Sequence, residues 1–178
     1  MSAMSEIPST WVERFATLVE SGGKVLDLAC GKGRHARYFA QRGCQVEAVD
    51  RDGEALATLA GVDGISTRQA DVENGPWPYH GLAFDAIVVT NYLNRPLLPW
   101  LIKSLEVNGV LIYETFMEGN QHLGSPSNPA FLLRRGELLE SVGRRLQVIA
   151  FEQGRVDHPR PAVVQRICAT RRLEFCLP

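Results

Sequence analysis

Three acids and a pair of glycines in the first half of the chain are spaced as a ligand site would need them: Asp27, Gly31, Gly33, Asp50 and Asp71. The apolar run Val25–Ala29 enters Gly31-Lys32-Gly33, and Gly31-x-Gly33-x-x-Ala36 fits a glycine turn between a strand and a helix. Glycines let the backbone approach a ligand closely, and a helix start offers unpaired N–H groups. Asp50 closes the next apolar run, about 20 residues on, where a carboxylate can accept hydrogen bonds from ribose hydroxyls. These parts serve several nucleotide-type cofactors.

Asp27 separates them. It lies on the incoming strand, near the end expected to face the ligand. A pyrophosphate would be repelled by a carboxylate in a low-dielectric crevice. A ligand carrying an ammonium and a sulfonium would be attracted. S-adenosylmethionine carries both, with a ribose for Asp50 and an adenine for Asp71.

The elements that must hold these residues alternate along the chain. Thr10 and Glu13 form a capping-box signature for a helix over about 10–20, with Trp11, Phe15, Leu18 and Val19 on one stripe. Strands are expected at Lys24–Ala29, Gln45–Asp50, Ser66–Asp71, Phe84–Thr90 and Val110–Phe116. Helices are expected at about Gly33–Arg42, after the capping Asp52, from Pro96 to Asn108-Gly109, and around Glu137–Val142. Two last strands, Leu146–Gln153 and Ala162–Arg171, have no helix between them. Strands alternating with helices imply a Rossmann-like, doubly wound, mostly parallel seven-stranded α/β sheet, closed by a C-terminal antiparallel hairpin. One domain over 1–178 is expected, with 1–8 as a flexible tail.

With these elements in place, the sequence resembles the class I S-adenosylmethionine-dependent methyltransferases. "VLDLACGKG" is similar to their first motif, "VEAVD" to the second and "QADVE" to the adenine-facing third; "FDAIVVT" and "NGVLIYETF" resemble their fourth and fifth strands. "GKGRHARYFAQRG" and "YETFMEGNQHLGSPSNPAFLLRRGELL" resemble the tellurite-resistance and thiopurine methyltransferase group. The resemblance implies that Asp27, Ala29, Gly31 and Gly33 surround the methionine end and that Asp50 holds the ribose. It places Asp71 and Val72 at the adenine edge and the Thr90 backbone near the amino group. Arg34 and His35, at the helix start, are expected beside the methionine carboxylate. S-adenosylhomocysteine would be the product.

The methyl acceptor is not written in these motifs. Ligands of such sheets sit outside the carboxyl ends of the parallel strands. That selects Asn91–Arg95, Met117–Pro129 and Gly154–Pro161. Tyr92, Asn94, Arg95, Arg155 and Arg160 are the candidate acceptor contacts, the arginines hinting at an anion. His122 and His158 are candidate general bases, required only for a protonated acceptor. "TNYLN" falls where methyltransferases of exocyclic amino groups carry an Asn/Asp-Pro-Pro-aromatic run, and both prolines are missing, which disfavours that chemistry.

Across the 178 residues, 45% are hydrophobic and the net charge is -1, ordinary for a soluble globular protein and without a global field for nucleic acid or an anionic membrane. Cys30, Cys44, Cys168 and Cys176 show no pairing motif, and His35, His80, His122 and His158 show no metal-ligand spacing. The expectation is a cytoplasmic enzyme that transfers a methyl group to a small-molecule acceptor, with no membrane, nucleic-acid or metal partner. A nicotinamide-dependent oxidoreductase is the alternative that Gly31-x-Gly33-x-x-Ala36 and Asp50 allow. A non-catalytic S-adenosylmethionine-binding protein is the other.

Overall fold

A computed structural model describes residues 7–174 and 176–178. Among them, seven strands form one sheet in the order β3-β2-β1-β4-β5-β7-β6. The strands are β1 (Lys24–Leu28), β2 (Gln45–Asp50), β3 (Ile65–Gln69), β4 (Phe84–Thr90), β5 (Leu105–Phe116), β6 (Gln147–Val156) and β7 (Ala162–Thr170). The first five run parallel; β7 is antiparallel to both β5 and β6, so β6 again runs with the rest. The β6–β7 turn therefore lies at the same edge as the loops that leave β1, β2 and β4.

The helices are α1 (Thr10–Phe15), α2 (Arg34–Gln41), α3 (Gly53–Ala57), α4 (Leu98–Lys103) and α5 (Glu137–Val142). Two apolar layers sandwich the sheet. On one face Trp11, Phe15, Phe39, Leu56 and Leu59 of the α1–α3 side pack on Val25, Val46 and Val88. On the other, Leu101, Leu138 and Val142 pack on Leu26, Leu28, Ile87 and Leu111. Strand alternation explains the partition: side chains two apart share a face, so Val25 and Asp27 look toward α2 while Leu26 and Leu28 look away. The turn-rich stretch after β3 forms no helix, and its Trp77 and Tyr79 are buried in the second layer.

Several boundaries differ from the sequence expectations. Ser9, rather than Thr10, caps α1: its Oγ accepts from Trp11 N at 3.2 Å. The first helix stops at Phe15 and continues only as a 3-10 turn over Ala16–Leu18. Strand β3 ends at Gln69, so Asp71 lies beyond it, its carboxylate accepting from the Glu73 and Asn74 amides. The helix expected to reach Asn108-Gly109 ends at Lys103, and Leu105 pairs with Phe84 in the sheet. Phe84 N donates to Ser104 O at 2.9 Å and Trp77 Nε1 to Ser104 Oγ at 3.0 Å. Those bonds draw the chain into β5 one turn early. Of the tail expected over 1–8, residues 1–6 lie outside the described residues; Ile7 O accepts from Arg34 at 3.4 Å. Among the described residues no helix is long and apolar enough to cross a membrane.

Candidate functional site

The order of strands reverses between β1 and β4, and the chain leaves both strands through residues with left-handed backbones. Ala29 has φ 53° and Asn91 has φ 55°. A side chain at positive φ costs about 1–2 kcal/mol, so two together at one sheet edge mark a strained rim. Between them opens a cavity of about 400 Å³, within the range of small-ligand sites. Ala29, Asp50, Asp71, Val72, Asn91 and Tyr92 are among its walls, with Phe116 and Phe131 supplying aromatic surface.

Two acids shape this cavity. Asp50 Oδ2 accepts from Gly31 N at 2.8 Å and Oδ1 from Asp52 N at 2.9 Å. The carboxylate at the end of β2 thus holds the glycine loop after β1. Asp71 accepts from Asn74 Nδ2 at 2.9 Å, and that bond with the Glu73 and Asn74 amides holds its pKa below the ordinary carboxylate range. Tyr92 closes the far side, donating its hydroxyl to Glu73 at 3.0 Å. Burial pushes that phenol's pKa up.

Of the ten residues expected around a cofactor, the structure brings Ala29, Asp50, Asp71 and Val72 into the cavity wall. Gly31 and Gly33 form the turn behind it, both at positive φ. Asp27 is placed differently from the expectation of a carboxylate facing the ligand. It is 1% exposed, points to the α2 side, and accepts from Ala36 N at 2.9 Å. Burial raises its pKa to about 7, against the lowering effects of the Ala36 amide and the Arg34 charge. His35 is equally buried. Its Nε2 accepts from Ser9 N at 3.1 Å, which leaves the ring proton on Nδ1, 3.4 Å from Thr90 Oγ1. Burial, then the nearby Arg34 charge, lowers its pKa to about 3, so the ring is neutral.

A second chamber of about 270 Å³ adjoins the first, and Asn91 and Phe116 line both. Arg34, Glu114, His158, Arg160 and Arg166 border it. Glu114 is buried in β5, takes the Ser9 hydroxyl at 2.8 Å, and pairs with Arg166 of β7. An acid inside the apolar run "VLIYETF" was the available sequence signal for this group, and sequence reasoning missed it.

The other acceptor candidates scatter. Tyr92 lines the first cavity and Arg160 and His158 the second. Asn94 and Arg95 lie in a separate small crevice, where Arg95 pairs with Glu137 and donates to the Ala130 and Leu132 carbonyls, each at 3.0 Å. Arg155 pairs with exposed Asp157 at 3.2 Å. His122 sits in an exposed 3-10 turn beside Gln121 and lines neither cavity.

Comparison with known proteins finds methyltransferases. Residues 25–106 match the family described as "Methyltransferase domain". Among curated proteins, the chain is 35% identical over 104 residues to protein-L-isoaspartate O-methyltransferase 1 of Rhodopseudomonas palustris, covering 54% of this chain and 41% of that one. It is 32% identical over 83 residues to ribosomal RNA small subunit methyltransferase J of Pseudoalteromonas atlantica, covering 43% and 31%. The chain thus spans well under half the length of these two relatives. Among solved structures, TehB from Haemophilus influenzae superposes with a TM-score of 0.75 at 20% identity, over 93% of this chain and 63% of TehB. A SAM-dependent methyltransferase from Methanosarcina mazei gives 0.70 at 16% identity, over 94% and 100%. At such identities the two likenesses concern the fold. Residues 25–106 match the methyltransferase-domain family, and the chain carries the fold of the S-adenosylmethionine-dependent methyltransferase structures on which it superposes.

Proposed function

We propose that the chain works as one domain that binds S-adenosylmethionine in the 400 Å³ cavity and transfers its methyl group to a small molecule in the adjoining chamber. The observation that carries this reading is the pairing of Asp50 and Asp71 in one cavity at the sheet's switch point. Asp50 is set to take the ribose hydroxyls, and Asp71 with Val72 the adenine edge. Phe131 and Leu93 offer apolar surface to the base. The Thr90 backbone is assigned to the amino group of the methionine part and Arg34, which lines the adjoining chamber, to its carboxylate, with Gly31, Gly33 and buried Asp27 and His35 fixing the turn between β1 and α2. The cofactor supplies a methyl group on a cationic sulfur.

The chain's own contribution is placement. Asn91 and Phe116 stand at the boundary of the two cavities, where they exclude water and align the acceptor. Holding reactants close, aligned and dry accounts for much of the acceleration available to such a displacement. His158 is the general-base candidate in the chamber wall. The isoaspartyl-protein and ribosomal-RNA methyltransferases resemble only part of this chain, so the preference for a small acceptor rests on the chamber's size. Buried, unpaired Cys44 and Cys168 support a reducing, cytoplasmic setting.

Calorimetric titration with S-adenosylhomocysteine tests the cofactor half of the reading; binding in the micromolar range is expected. Turnover over thiols, selenium and tellurium oxyanions, phenols, amines and carboxylic acids, read as S-adenosylhomocysteine formed, tests the other half. A protein that does not bind the product sinks the whole proposal.

A further inference from the structure

We infer that the second chamber seats a small organic acid, with its anionic group on Arg160 and its apolar body against Phe116, Val156 and Val164. The inference rests on reading the neighbouring cavity as the cofactor pocket, and it names the acceptor class for that same site.

Three guanidinium groups and one carboxylate border the chamber: Arg34, Arg160, Arg166 and Glu114. They are not equivalent. Arg166 and Glu114 neutralise each other, and Arg166 also lies 3.6 Å from Glu152. Arg34 follows the glycine turn directly, at the start of α2. Arg160 lies in the β6–β7 turn. Its guanidinium carbon is 5.4 Å from the Phe116 ring centroid, and one nitrogen donates to Ser125 O at 3.1 Å. Among the described residues no carboxylate pairs with it.

Those two contacts fix the plane of the guanidinium and leave most of its five donors unused. A planar, oriented fork matches a carboxylate better than any neutral group. The aromatic ring beneath it removes water from one side, which strengthens a charge-assisted bond. Phe116 also lines the cofactor cavity, so a molecule held between Arg160 and Phe116 lies at the boundary where transfer would occur. Val156, Ala162 and Val164 complete an apolar wall from the ends of β6 and β7. A volume of about 270 Å³ accommodates a single ring or short chain. An ammonium ion there would meet Arg160, which no carboxylate among the described residues neutralises, and be repelled.

The probes are benzoate, benzamide and benzylamine, three molecules of like size and different charge, titrated into protein saturated with S-adenosylhomocysteine. Saturation fills the methionine end, so Arg34 is not the group being read. Benzoate is expected to bind about tenfold tighter than benzamide, with benzylamine weakest. Arg160→Met keeps the stem on Phe116 and should bring the benzoate-to-benzamide ratio close to one; Arg160→Lys keeps charge without the fork and should fall between. Retained S-adenosylhomocysteine binding in each variant shows an intact fold. Equal affinity for benzoate and benzamide overturns the inference, as does a ratio that Arg160→Met leaves unchanged. So does the absence of benzoate binding at about 20 mM while S-adenosylhomocysteine still binds. Loss of S-adenosylhomocysteine binding by the unmodified protein would instead strike at the proposed function.

Discussion

Asp50 Oδ2 accepts a hydrogen bond from the Gly31 amide at 2.8 Å, so the acid that ends β2 fastens the loop that leaves β1. One carboxylate thus serves two neighbours: it orders the glycine turn and presents its remaining lone pairs to the cavity. Asp50→Ala removes both contributions. The expected loss of S-adenosylhomocysteine affinity is about 1–3 kcal/mol, the range for charge-assisted hydrogen bonds. Asp50→Asn, which keeps one acceptor oxygen, should lose less. Calorimetric titration of the three proteins checks the order, and unchanged affinity in Asp50→Ala removes Asp50 from the site.

Much of this site was legible because it depends on where strands end. Asp50 closes β2 and Asp71 lies just past β3, and parallel strands deliver their C-terminal residues to one edge. Other features depend on partners that lie far off in the chain. Leu105 extends the Leu97–Leu101 helical stripe as well as it begins a strand; the bonds from Phe84 and Trp77 to Ser104 decide in favour of the sheet. Arg95 reads in the sequence as available for an anion, but in the fold Glu137, 42 residues later, closes on it. For Asp27 the position along the strand was readable, but which neighbour meets that face was not, and Ala36 of α2 takes the carboxylate. Glu114 is the reverse case: an acid in an apolar strand was a visible signal of a buried polar network.

Asp27 and His35 oppose each other in the pH dependence of stability. The pKa of Asp27 is raised from 3.8 to about 7 in the folded state, so from about pH 4 to 7 the folded chain holds a proton that the unfolded chain has released. Stability from this group therefore falls as pH rises through that window. His35 is lowered from 6.5 to about 3, so between those values the unfolded chain holds the extra proton, and stability rises with pH. Each slope approaches about 1.4 kcal/mol per pH unit, and the two cancel between about pH 4 and 6.5. Relative to the unmodified protein, Asp27→Asn should add a rising slope over that window, and His35→Gln a falling one. Urea unfolding at intervals of pH measures both; parallel profiles for the three proteins would refute the assignment.

The Glu114–Arg166 pair predicts a strong asymmetry between single and double changes. Both side chains are largely buried, at 9% and 15% exposure. Arg166→Met leaves a carboxylate in β5 with the Ser9 hydroxyl as its hydrogen-bond donor and the Arg34 charge nearby, and should cost about 3–5 kcal/mol of stability. Glu114→Gln combined with Arg166→Met removes the stranded charge and should recover a large part of that loss. Denaturant unfolding of the single and double variants gives the coupling. Additive losses would mean that the two residues do not act as a pair.

The two glycines of the turn should respond differently to alanine, because they differ in surroundings and not in backbone. Gly31 and Gly33 have φ of 55° and 74°, in the region that disfavours a side chain. A Cβ on Gly31 would meet nothing within 4 Å, so Gly31→Ala carries only the backbone cost of about 1–2 kcal/mol. A Cβ on Gly33 would lie 2.5 Å from Leu59 Cδ1, one of the buried side chains beneath the α2–α3 side. Gly33→Ala must therefore also displace a packed core leucine, and should cost about 2–4 kcal/mol in all. Cofactor affinity should separate them the other way. Gly31 donates its amide to Asp50 in the cavity wall, so Gly31→Ala, by shifting that amide, should weaken S-adenosylhomocysteine binding by more than its small effect on folding suggests. Denaturation midpoints and calorimetric affinities on both variants decide the matter. Equal destabilisation by the two would show that the Leu59 contact does not limit Gly33, and undiminished affinity in Gly31→Ala would place the ligand away from this turn.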